Sequence, residues 1–126
     1  MRIILLCSFT FLLTCLFSTE TIDQWLIEVD KGFYQKSWAL ASKTFQETIS
    51  KEDWVKWITK KRLPLGEVQE RIQIEEKKTI NPKGLPAGTY KTIFYRTIFS
   101  NKKSGYELLT LVLDEHKWLV VTYHLK

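Results

Sequence analysis

At 126 residues with a net charge of +5, 44% hydrophobic and 13% aromatic, the chain is long enough for one ordinary hydrophobic core and too apolar for disorder. Its nineteen basic residues are scattered among fourteen acidic ones, and Lys60, Lys61 and Arg62 are the only run of three, so a clustered nucleic-acid footprint is excluded. No repeat, low-complexity tract or linker divides it.

The N-terminal stretch sets the compartment. Arg2 is followed by an apolar run from Ile3 to Phe17 and then by Ser18, Thr19 and Glu20, the charged, apolar and small-polar order of a signal peptide. The run is shorter than the ~20 residues of a transmembrane span. Cleavage after Ser18 divides the chain into a leader, 1–18, and a single domain, 19–126. Cys7, Cys15 and Arg2 then leave together, the net charge falls by one from +5, and no disulfide or thiolate metal site remains. The alternative is a lipoprotein: Leu12, Leu13 and Thr14 before Cys15 resemble a bacterial lipobox, with Thr14 where Gly, Ala or Ser is usual, and Cys15 would carry the anchor. The expected location is the periplasm or extracellular space, membrane-anchored if Cys15 is acylated.

The first helix is marked by Ile22, Trp25, Leu26 and Val29 at i, i+3, i+4 and i+7, with Thr21 as N-cap, Gln24 three residues on and Gly32 as the stop. Tyr34, Trp38, Ala41, Phe45 and Ile49 lie on one face of a second helix. Ser50 with Asp53 opens a third, carrying Trp54, Val55, Trp57 and Ile58, and Pro64 and Gly66 end it. The tryptophans on these helices read as packing residues.

Strands follow. Val68, Ile72 and Ile74 alternate with Gln69, Arg71, Gln73 and Glu75, the pattern of a strand with one wet face. Two prolines and two glycines make 81–88 a loop. Tyr90 to Phe99, Tyr106 to Leu113 and Trp118 to Leu125 are rich in aromatic and β-branched residues, with turns at Lys102 to Gly105 and at Glu115 and His116. Helices first and strands second predict an α+β fold, three N-terminal helices packed on a curved four-stranded antiparallel meander.

Asp30, Gly32, Tyr34 and Trp38 early, Trp54, Arg62, Pro64, Gly66 and Arg71 centrally, and Glu107, Trp118 and Tyr123 late make the chain resemble a bacterial family of exported proteins, domain of unknown function 4019. Thr122 stands where a glycine commonly precedes the tyrosine, and His116 where the hairpin turn often has glycine. The resemblance implies a cone-shaped architecture similar to the nuclear transport factor 2-like and cystatin-like folds, and no activity.

Few residues could carry chemistry. There is no GxSxG elbow, no HExxH and no phosphate-cradling glycine loop, so neither a cofactor nor a metal is expected. A two-residue turn at Glu115 and His116 would place Asp114 opposite Lys117, Leu113 opposite Trp118 and Glu107 opposite His124. Glu107 and His124 would then be an acid and base pair for an isomerase, dehydratase or cyclase, or an ordinary cross-strand ion pair, which is the favoured reading. Arg71 and Trp38 are the candidates for holding a ligand or partner, an arginine fork being suited to carboxylates and phosphates. Arg62 reads as a structural cation at a helix end. The leading functional expectation is a non-enzymatic binding or interaction module.

In the same register both faces of the last two strands are apolar. One carries Leu109, Leu111, Leu113, Trp118 and Val120, with Glu107, Thr122 and His124 at one end. The other carries Tyr106, Leu108, Val112, Leu119, Val121, Tyr123 and Leu125. One helical layer cannot cover both, which predicts a homodimer through the face of Tyr106, Leu108, Val112, Leu119, Val121 and Tyr123.

Overall fold

The computed structural model describes residues 17–126, and the side chains from Ile22 onward. The apolar leader run, Cys7 and Cys15 lie outside them. Four helices, α1 (Phe17–Asp30), α2 (Tyr34–Leu40), α3 (Lys43–Thr48) and α4 (Lys51–Arg62), precede a single 3-10 turn (Leu63–Leu65). The strands are β1 (Val68–Ile80), β2 (Thr89–Phe99), β3 (Lys102–Asp114) and β4 (Lys117–Leu125), joined in the order β1-β2-β3-β4 as an antiparallel meander. The α+β class is as predicted. No described helix is long and apolar enough to cross a membrane.

Helix α1 runs through Thr21, so Thr21 is not its cap. Its end is where the sequence put it. Gly32, at φ 83°, lets its own N–H reach the Val29 carbonyl and that of Phe33 reach Glu28, which satisfies two of the last carbonyls. Ser50 caps α4 by accepting from the Asp53 N–H at 3.1 Å.

The expected second helix is two. Ala41 and Ser42 are extended, and the Ser42 hydroxyl accepts from the Phe45 N–H to start α3. Gln46 folds back, its amide donating to the carbonyls of Trp38 at 3.0 Å and Ala39 at 3.3 Å that the break leaves open. The freed Ser42 N–H donates to the Val120 carbonyl of β4, tying the helical layer to the sheet edge. Ala41 and Phe45 are still buried, so the period alone conceals the break.

Helices and sheet enclose a core of Trp25, Leu26, Val29, Phe45, Trp54 and Ile58 against Ile93, Leu109, Leu111, Trp118, Val120 and Tyr123. Ser37, wholly buried, is its polar hub: its carbonyl accepts from Trp25 Nε1 and its hydroxyl from Trp54 Nε1, each at 2.9 Å. Trp38 is half-buried and packs on this core, its Nε1 donating to the Ile49 carbonyl.

Three irregularities set which residues face inward. The hairpin turn is as expected, with Asp114 opposite Lys117 and Leu113 opposite Trp118. Further on, Leu111 pairs with Val120 but Thr110 with Thr122, so Val121 is an extra residue. Beyond that bulge the register slips by one, and a one-residue slip exchanges the faces. Tyr123 therefore enters the core beside Leu109, while Thr122 and His124 turn outward. Two shifts in β1, at 68/70 and 73/75, correct the reading of that strand as well. Arg71, opposite the buried Thr97, faces inward, and Ile72 and Ile74 are 42% and 52% exposed. The β2–β3 turn sits at Ser100 and Asn101, earlier than the predicted Lys102 to Gly105. Gly105 is needed within β3, since a Cβ there would lie 2.6 Å from the Phe99 ring.

Candidate functional site

The inner surface of the sheet ends in a charge cluster, buried at Arg62 and Glu107 and open to solvent at Asp30, built from all three stretches that carry the resemblance. Asp30 closes α1, Arg62 closes α4, Arg71 comes from β1, Thr97 from β2, Glu107 from β3 and Tyr123 from β4. Arg71 lies between two carboxylates. Its Nε and Nη2 donate to Glu107 Oε1 and Oε2 at 2.7 and 3.1 Å, and its Nη1 and Nη2 donate to Asp30 Oδ2 and Oδ1, both at 2.9 Å. Arg62 Nη2 adds a bond to Asp30 Oδ1 at 3.0 Å, and its guanidinium lies 5.2 Å from the Phe99 ring centre. Two carboxylates and two guanidinium groups leave the cluster formally neutral.

Glu107 is fully buried, and its bonding is complete. Oε1 accepts from Arg71 Nε and the Thr97 hydroxyl, and Oε2 accepts from Arg71 Nη2 and the Tyr123 hydroxyl. A carboxylate offers about four lone-pair positions, and here four donors fill them. Nothing is left to take a substrate proton. Burial opposes the Arg71 charge, but its bonds to Asp30 and Glu107 outweigh that and hold the guanidinium protonated beyond its ordinary range. Burial first, then the Glu107 charge, pushes the Tyr123 hydroxyl well above its usual value, so it stays a donor.

The Glu107 and His124 pair is not formed. Because Val121 is a bulge, Glu107 lies opposite Leu125 and His124 opposite Leu108, and the imidazole is exposed on the outer face while the carboxylate is buried on the inner one. Arg71 is engaged within the fold, as is Trp38 through Ile49. Arg62 is structural, as expected, though buried at 5% exposure and not on a solvated helix end. Asp30, Thr97 and Tyr123 were not anticipated as partners. Thr97 had a signal, since it is the polar member of the inward series Ile93, Tyr95, Thr97 and Phe99.

Among the spaces bounded by described residues, two lie on opposite faces of the sheet. A cleft of about 110 Å³ opens between α1 and the first two strands, lined by Asp23, Gln73, Glu76, Lys91 and Tyr95 among others. Burial, with Asp23 and Glu107 adding to it, pushes the Tyr95 hydroxyl up to about 12. A raised folded-state value keeps its stabilisation intact below the free tyrosine value of about 10 and loses it as pH rises toward 12. Tyr95 should therefore add about 2–3 kcal/mol to the alkaline fall in unfolding free energy, alongside Tyr123, and Tyr95→Phe should reduce the fall read from urea midpoints by this amount. An undiminished fall in the variant would remove Tyr95 as a source. On the opposite, outer face, a groove of about 500 Å³ has a floor of Phe94, Tyr106 and Leu108 and a rim of Lys102, His124 and Lys126. The Phe94 and Tyr106 rings stack at 5.5 Å. Among the described residues no group of three or more His, Cys, Asp or Glu side chains could hold a metal ion.

Comparison with known proteins agrees with the architecture. A Campylobacter jejuni protein, whose crystal structure is described as that of an NTF2-like transpeptidase, superposes with a TM-score of 0.52 at 19% identity, covering 81% of this chain and 94% of that one. This likeness is one of fold. No curated protein matches the chain significantly. The family model described as "Protein of unknown function (DUF4019)" matches residues 21–123, and the chain, with its α+β cone and its Asp30, Arg62, Arg71, Glu107 and Tyr123 cluster, belongs to that family.

Proposed function

We propose that the protein is an exported, non-enzymatic interaction module that works through the outer face of its sheet and self-associates there. The saturation of Glu107 carries this reading: the acid that the isomerase, dehydratase or cyclase alternative would use already has four donors. The inner cleft of about 110 Å³ between α1 and the first two strands is below the roughly 300–1,000 Å³ of ordinary ligand sites. Transpeptidase chemistry, the description attached to the Campylobacter jejuni structure, finds no free nucleophile in the two buried serines among the described residues, since Ser37 holds two tryptophans and Ser42 caps α3. Export rests on the order of Arg2, the apolar run and Ser18, with a lipid anchor on Cys15 as its alternative form.

The outer face differs from the one first expected. Tyr123 belongs to the core and Val121 is buried, whereas Tyr106, Leu108, Val112 and Leu119 remain, joined by Phe94 and Ile72. The 81–88 loop covers one corner, where the Tyr90 hydroxyl donates to the Pro86 carbonyl. Among the described residues nothing covers the remainder, and an exposed apolar patch beyond a few hundred Å² usually marks an interface. Light scattering coupled to size exclusion should show a dimer at roughly 100 μM, far above the micromolar dissociation constants ordinary for standard interfaces. A monomer at that concentration removes self-association from the proposal.

A further inference from the structure

We infer that the two copies pack outer face on outer face about a dyad running parallel to the strands, a choice made by the charges and the apolar centre of that face together; the inference rests on the self-association proposed above. The pairing registers lay the outward residues out in rows across the sheet. One row reads Glu75, Phe94, Leu108, His124 from β1 to β4. The next reads Ile72, Arg96, Tyr106, Lys126, its last pair closed by two backbone bonds of 2.9 Å. On these two rows acid stands at the β1 side and base at the β4 side, while the row beyond, Lys77, Thr92, Thr110, Thr122, carries a lysine on β1. Lys102, like Lys126 and His124, rims the groove near β4, and no acidic side chain opens into it, since the Glu107 carboxylate is wholly buried on the other face.

A closed pair of identical faces needs a two-fold axis lying in the interface, and a four-stranded sheet offers two simple directions. An axis perpendicular to the strands sets β4 on β4 and β1 on β1. Centred on the Glu75 row it sets Glu75 on its own copy, which is repulsive, and shifted toward the Lys77 row it gives Glu75 a lysine but lays Phe94 and Leu108 over Thr92 and Thr110. An axis parallel to the strands, between β2 and β3, reverses each row onto itself. Glu75 then faces His124 of the second copy, with Lys126 one row away. Phe94 faces Leu108, and Arg96 lies over the Tyr106 ring, each contact occurring twice. The apolar centre of the row thus meets apolar groups and the arginine meets a π-face, as an interface core flanked by polar contacts requires. A second copy is accordingly the occupant that this face fits.

Cross-linking reads the arrangement directly. Glu75 and His124 are three strand spacings apart, about 14 Å, and stacked sheets lie about 10 Å apart. With Cys7 and Cys15 replaced by serine, a bismaleimide spanning about 10 Å should join Glu75→Cys protein to His124→Cys protein in a mixture, and should join neither variant to itself. Self-linking of either variant, or a dimer that gives no mixed product, overturns the dyad while leaving self-association standing. A monomer throughout overturns both. Charge exchange gives an independent reading. Glu75→Lys should weaken dimerisation on the order of tenfold, because the dyad repeats each contact, and adding His124→Glu should restore it. Both positions are exposed, so an unchanged circular dichroism spectrum accompanies the loss. An equal loss in the double variant counts against the parallel dyad.

Discussion

Arg71→Ala should lower the unfolding free energy by about 3–5 kcal/mol, the range for removing one partner from a buried ion pair. The variant strips Glu107 of two of its four donors and Asp30 of two bonds, while the Glu107 carboxylate stays fully enclosed. Arg62 still bonds Asp30 but has no bond to Glu107. The loss is a charge left in a low-dielectric site, so it should shrink when the charge goes too. Arg71→Met combined with Glu107→Gln should therefore cost less than the sum of its single changes, and the difference measures their coupling. Urea midpoints at constant slope provide the reading. A loss under about 1 kcal/mol for Arg71→Ala would place the cluster among solvent-screened surface pairs and remove the basis for treating Glu107 as locked.

Trp54→Ala should cost a similar amount, about 3–5 kcal/mol, for a different reason. Trp54 is 2% exposed at the centre of an aromatic cluster, edge-on to Phe45 at 5.0 Å, stacked on Trp57 at 5.7 Å and within 6.0 and 6.3 Å of Trp25 and Tyr123. It joins α4 to the sheet through Tyr123 and to α2 through the Ser37 hydroxyl. Removing it opens a cavity that the Ser37 hub, already held by Trp25 and Tyr34, cannot collapse to fill. Trp54→Phe should recover more than half of the loss, because the ring contacts return while one hydrogen bond of about 1 kcal/mol does not. Equal losses for both variants would shift the weight from packing to the Ser37 bond.

Most elements were legible because local chemistry announces them. Ser50 and Gly32 mark helix ends through bonds that their own neighbours make, and the turn at Glu115 and His116 fixes the first pairs of the last hairpin. The outer half of β4 was not legible. In Trp118 to Leu125 successive apolar residues fit either phase, so nothing local says that Val121 is skipped. That single extra residue decides whether Tyr123 or His124 meets the inner row. In β1 the alternation of Ile72 and Ile74 suggested the wrong inner face, because burying Arg71 is favourable only once Asp30 and Glu107 are in place, 41 and 36 residues away. Glu107 could be placed on the apolar face from its alternation with Leu109 and Leu111, but its partners could not. The site is a product of tertiary pairing, as was the break at Ser42, whose N–H is used by β4.

The position of the cluster has an electrostatic consequence. Asp30 and Arg62 are the last residues of α1 and α4, so the C-terminal ends of two helices converge on it. Each such end carries roughly half a unit of negative partial charge from its aligned peptide dipoles. Adding these to two carboxylates and two guanidinium groups leaves the surroundings of the arginines negative by about one unit. That field accounts for an otherwise awkward feature: Arg62 Nε and Nη1 are buried without a hydrogen-bond partner. The guanidinium is held by diffuse potential from the helix ends and the Phe99 ring as much as by its one bond to Asp30. The same field makes the cluster less inviting to an anion than its two arginines alone would be.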